Sequence, residues 1–195
     1  MTLWFLARAA GFVALLSASL TVALGAAGSS ARRDGRIVAH LVHRSAAVVT
    51  LAMLALHGVL LVTDHFVDVT MSGALVPFTA GYRGVALGLG TLALYGFLVV
   101  ALTGALRGRL AASSRAASAW RTVHVAAYAA WVLALAHGVL AGTDTVRGWA
   151  LALYGASAFV VSVAALGRIV NEVRHRRSPL VRTRRLAAFT DAGVR

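Results

Sequence analysis

Apolar residues run in five long blocks, at about 9–28, 40–62, 84–106, 122–142 and 149–169, with shorter polar stretches between them. Each approaches the roughly 20 residues that a helix needs to cross a hydrocarbon core. The pattern predicts an all-α integral membrane bundle of about five transmembrane helices. The connections are a basic turn at 30–36, a longer segment at 63–83 carrying Asp64, Asp68, Pro77 and Gly81, and a segment at 107–121 carrying Arg107, Arg109, Arg115 and Arg121. A Thr/Asp/Gly turn follows at 143–148, and an arginine-rich tail with Pro179 begins at Asn171. The expected division is an N-terminal transmembrane anchor with its basic turn (1–36), a central membrane domain (37–170) and a cytoplasmic tail (171–195).

Composition sharpens this. The chain has 195 residues, 59% hydrophobic and 13% charged, with a mean hydropathy of +0.80. A soluble domain needs more polar surface. The absence of cysteine excludes disulfides, thiolate-ligated zinc, iron–sulfur clusters and thiol catalysis. A net charge of +13 raises the question of nucleic acid, but the arginines sit in short loops and a tail beside apolar spans. That placement follows the positive-inside rule, and anionic lipid headgroups are the partner that suits the tail. No nucleic-acid partner is expected.

Charge also predicts orientation. Arg32, Arg33, Arg36 and Arg44 flank one end of the second span, four arginines fill 107–121, and the tail opens with Arg174, Arg176 and Arg177. The other side has Arg8, Arg83 and Arg147 beside Asp64, Asp68 and Asp144. This places the chain in the plasma (inner) membrane as a multi-pass protein, N-terminus outside and tail in the cytoplasm. Small residues from Ala26 to Ser30 also fit a cleaved signal peptide. Cleavage would leave the basic turn outside, so a retained anchor is preferred.

A repeat runs through the second and fourth spans. His43 and His57 are 14 positions apart; His124 and His137 are 13 apart. Val42-His43 matches Val123-His124, and His57-Gly58-Val59-Leu60 with Thr63-Asp64 matches His137-Gly138-Val139-Leu140 with Thr143-Asp144. With one helix between them, the two spans run parallel. His43 then shares a depth with His124, and His57 with His137, as in repeats about an axis along the membrane normal. Helical rises of about 21 Å and about 19.5 Å leave two rungs between the helices. Each rung offers two imidazoles to one haem iron. Azimuth fits less well: fourteen residues leave a pair about 40° from one face, thirteen about 140°. A bend, a π-bulge or different rotamers would have to compensate.

Ionisable groups in a bilayer usually have a partner or a task, and four histidines in a repeated pattern are a stronger signal than one hydrogen-bonding residue. Gly58 and Gly138 either let a bulky ring approach the backbone or serve helix packing. His40, His65 and His175 have no counterpart in the repeat and are read as interfacial or solvated. Arg44 and Arg121 adjoin the cytoplasmic rung and Arg83 the outer one, as candidates to pair with haem propionates or as plain topogenic charge. Trp120 and Trp149 suit interfacial anchors. Trp131 lies midway between His124 and His137, where it packs between haems or in an ordinary core.

The four-histidine spacing resembles the ferric reductase-like transmembrane domain family, which includes the haem-bearing membrane domain of ferric reductases and NADPH oxidases. The resemblance covers roughly 37–170. Val76-Pro77-Phe78 and Trp120-Arg121-Thr122-Val123-His124 are similar to phrases in small bacterial members. It implies two haem b groups, an inner one on His43 and His124 and an outer one on His57 and His137, and it makes the 13-residue spacing a family trait. The chain departs from full-length members in having five spans where six are common. It also lacks a flavin and nicotinamide domain: about 25 residues follow the last span, with no Gly-x-Gly-x-x-Gly fingerprint.

The expected function is a transmembrane di-haem electron-transfer protein, the haem subunit of a membrane oxidoreductase. Electrons would come from a separate flavoprotein reductase or a quinol and go to an extracytoplasmic acceptor. The alternatives are a non-haem metal or proton transporter, weakened by the scarcity of carboxylates within the spans, and a structural membrane subunit, which leaves the histidine repeat without a purpose.

Overall fold

A computed structural model describes residues 2–28, 33–64, 69–110 and 113–177. His65, Asp68 and the tail beyond 177 lie outside them, as do the side chains of Arg33, Arg109, Arg115, His175, Arg176 and Arg177. The helices are α1 (Thr2–Ala27), α2 (Arg33–Thr63), α3 (Met71–Leu75), α4 (Gly84–Ala105), α5 (Arg107–Leu110), α6 (Ser114–Ala141) and α7 (Gly148–Arg177). Five of them, α1, α2, α4, α6 and α7, are long and apolar enough to cross a membrane. The chain is a multi-pass membrane protein, all-helical among the described residues.

The apolar blocks set the middle of each helix, and local chemistry sets the ends. The last turn of α1 closes with Gly28 N–H donating to Leu24 O at 2.8 Å. The Ser113 hydroxyl caps α6 by accepting from Ala116 N–H at 3.2 Å. Helices overrun the expected spans because arginine-bearing turns join them: residues 33–36 belong to α2, and the stretch after 113 belongs to α6. Between α2 and α4, the Thr70 hydroxyl caps the one-turn α3. Phe78 then adopts a left-handed backbone and lays its ring against Gly88 of α4. Thr91 Oγ1 donates to Ala74 O at 2.8 Å and Tyr95 donates to Leu75 O, so the loop is docked on α4.

Two antiparallel hairpins make the bundle. α1 packs along α2, α4 packs along α6, and α7 leans on α1. Their shared centre holds Ala18 and Val22 of α1, Ala93 and Phe97 of α4, Ala130 and Trp131 of α6, and Val161 of α7. Trp131 is in this core, its indole N–H donating to Ser19 Oγ at 2.8 Å. It therefore packs as a core residue at the level between the histidine pairs. Large apolar side chains such as Val48, Leu102 and Phe159 face outward, as lipid contact favours.

Candidate functional site: two facing histidine pairs

The bundle brings the four histidines together as two rungs. The His43 and His124 ring centres are 6.3 Å apart, with planes at 55°. Those of His57 and His137 are 6.2 Å apart, at 77°. α2 and α6 therefore run parallel, as the repeat predicts. No group of three or more His, Cys, Asp or Glu that could hold a metal ion occurs among the described residues. Each rung offers two imidazoles.

What orients the rings comes from α1 and α4. His57 Nδ1–H donates to Ala7 O at 2.7 Å, His43 to Thr21 O at 2.8 Å, and His137 to Ala86 O at 2.8 Å. A carbonyl only accepts, so each of these Nδ1 atoms carries the proton and each Nε2 keeps its lone pair. The three carbonyls share a local rule: each lies four residues before a glycine facing the same ring. A Cβ on Gly11 would lie 3.1 Å from the His57 ring, on Gly25 3.3 Å from His43, and on Gly90 2.7 Å from His137. A helical carbonyl points toward residue i+4. A glycine there clears a path for the imidazole to reach it.

His124 breaks the rule. Its glycine is Gly104, where a Cβ would be a comfortable 3.6 Å away. The corresponding carbonyl, Val100 O, accepts from Thr103 Oγ1 at 3.0 Å instead. His124 Nδ1 is buried without a hydrogen-bond partner among the described residues. The cause is register. Gly11 and Gly25 are 14 apart, matching His43 and His57, and Gly90 and Gly104 are also 14 apart. His124 and His137 are 13 apart, so with His137 seated on Gly90, His124 falls one residue out of step, about 1.5 Å and 100°. No π-turn interrupts α6. The mismatch is absorbed at His124, which stacks on Trp120 with centres 5.0 Å apart and planes at 22°. Trp120 is fixed in turn by its indole N–H, which donates to Thr103 O at 3.0 Å.

The second rung opens onto a partly open cavity lined by His57, His137, Gly11, Leu15, Leu54 and Phe97 among others. Arg8, Asp144, Tyr82 and Tyr154 supply its polar edge. Asp144, 4% exposed, pairs with Arg8 and, through its other oxygen, with Arg147 at 3.1 Å. Tyr154 donates to Gly138 O at 2.8 Å.

Of the arginines expected beside the rungs, Arg44 and Arg121 are exposed. Arg83, also exposed, donates from Nη1 to Leu140 O at 2.8 Å. Arg8 lines the cavity in their place. Gly58 faces open space and Gly138 packs against Tyr154, so neither backs a histidine. His40 is exposed. Trp149 is half exposed and packs on Phe12, ring centres 5.1 Å apart. The glycines that matter, 11, 25, 90 and 104, were visible as two further pairs at a spacing of 14. No family model, curated protein or solved structure matches the chain.

Proposed function

We propose that the protein is a transmembrane electron carrier holding two haem b groups, one on His43 and His124 and one on His57 and His137. The observation that carries this reading is the equal separation of the two ring pairs, 6.3 and 6.2 Å. Two metal–imidazole bonds of about 2.0 Å, plus about 1.1 Å from each bonding nitrogen to its ring centre, place ring centres about 6.2 Å apart. Free nitrogen lone pairs support it further, because three Nδ1 atoms are committed to carbonyls and leave Nε2 for a metal. With two protein donors per rung among the described residues, the group that fits supplies its other metal ligands itself, as a porphyrin does. A metal or proton relay would need a wider set of polar groups within the spans.

Haem would supply an iron that takes up and gives back one electron at a time. The chain's own residues hold it in place. The carbonyls of Ala7, Thr21 and Ala86 fix ring tautomer and tilt. The glycines behind the rings let α1 and α4 close on them. The core of Phe97, Trp131 and their neighbours keeps water from the space between the rungs. Arg8, held by Asp144, is the cation at the edge of the His57/His137 cavity. Arg44, Arg83 and Arg121 are the further cations near the two ends.

By the positive-inside rule, the His43/His124 rung is the inner, cytoplasmic one. A separate flavoprotein or a membrane quinol would feed it, and an extracytoplasmic acceptor would draw from the outer rung. This corresponds to the haem subunit of a ferric reductase-like oxidoreductase. Optical spectra of the purified chain, oxidised and dithionite-reduced, with a haem-to-protein ratio, test it. Sharp reduced b-type bands with about two haems per chain are the expected result. A chain without haem, after expression with ample haem supply, removes the proposal.

A further inference from the structure

The two rungs are chemically unequal. In the His57/His137 pair both rings donate Nδ1–H to a backbone carbonyl. In the His43/His124 pair His43 does, and His124 Nδ1 has no such partner among the described residues. A donated Nδ1–H gives the imidazole anionic character and makes it a stronger donor, which favours the oxidised metal. The His43/His124 site has one such ligand where the other site has two.

Charge differs in the same direction, independently. The Arg107 guanidinium lies 5.1 Å from the centre of the Trp120 ring, which itself stacks on His124. At the opposite end, the buried Asp144 carboxylate offsets the charge of Arg8 beside the cavity, while Arg147, on its other oxygen, is largely exposed to solvent. Uncompensated positive charge near a metal favours the reduced state.

Granting two bis-histidine haems, we infer that the His43/His124 site has the higher reduction potential and stores the electron, with Trp120 as the residue that positions its weaker ligand. A single electron shared between the two sites would rest at equilibrium on the His43/His124 site, leaving the His57/His137 site oxidised. No proton moves and no bond is exchanged. The hop from the His43/His124 rung toward the His57/His137 rung is then the uphill one, completed only when an acceptor withdraws the electron.

The test is a potentiometric titration of the full-length protein in detergent, followed by absorbance and electron paramagnetic resonance. Two one-electron steps are expected, separated by about tenfold or more in affinity for the electron, about 59 mV for a one-electron couple. H124A should keep only the lower step and H137A only the upper. W120L removes the stack, so a high-spin signal should grow in and the upper step should shift, with the lower step unmoved; W120F should retain the wild-type pattern. Coincident midpoints, or a W120L effect on the lower step or on neither, overturn the inference while leaving the haem reading intact. Absence of haem from the wild-type chain overturns both.

Discussion

Gly90 lies closer to its histidine than any other glycine of the site: a Cβ there would be 2.7 Å from His137 Nδ1, against 3.6 Å between a Cβ on Gly104 and His124 Cε1. The same substitution should therefore have unequal effects. Gly90→Ala should push the His137 ring off Ala86 O, cost about 1–3 kcal/mol through overpacking and lower haem occupancy. Gly104→Ala should be tolerated. Haem-to-protein ratios and thermal unfolding in detergent compare the two directly.

Each histidine serves one rung. His43→Ala and His57→Ala should each reduce the haem content from about two to about one per chain, and the double variant should lose both. Loss of both haems from either single variant would mean that the rungs fill together.

Asp144 is buried between two guanidinium groups. Asp144→Asn leaves Arg8 facing the cavity without its counterion, and breaking such a pair costs up to about 3 kcal/mol. The expected result is a lower unfolding temperature with haem lost first from the His57/His137 site. Arg8→Gln in the same background should recover part of the loss.

Trp131 and Ser19 join α6 to α1. Ser19→Ala strands a buried indole N–H, at about 1–3 kcal/mol. Stability should fall while the wavelengths of the reduced haem bands stay put, because this contact holds helices and touches no imidazole.

Gly58 and Gly138 match in sequence and differ in setting. Gly58→Ala meets nothing and should be neutral or slightly stabilising, by up to about 1 kcal/mol from helix propensity. Gly138→Ala puts a Cβ 3.0 Å from Tyr154 Cε1 and should loosen α7 against α6, with a measurable fall in unfolding temperature.

The spans and the histidine pairing were legible because both follow from periodicity. Apolar length marks a membrane helix, and nearly equal spacing on parallel helices brings His43 to His124 and His57 to His137. What escaped was everything that depends on a neighbouring helix. Backbone carbonyls such as Ala7 O and Thr21 O have no signature of their own. Their glycines do, at a spacing of 14, but that signal lies in the first and third apolar blocks, where no histidine drew attention. Gly58 and Gly138 drew it instead, being adjacent to His57 and His137 in sequence while facing away from them in space. The 13-residue spacing looked like a defect of α6. In the folded chain it becomes a difference between sites, taken up by one ring and one tryptophan.

The hairpin arrangement also dictates an order of assembly. His43 and His57 meet their carbonyls on α1, 22 and 50 residues earlier in the chain, so the first half of each rung is finished as soon as the first hairpin has entered the bilayer. The opposing ring of each rung arrives only with α6, after a second hairpin has been made. A growing chain can thus present preshaped half-sites long before it can grip anything from both sides. On the proposed function, cofactor capture would be the step that joins the two halves.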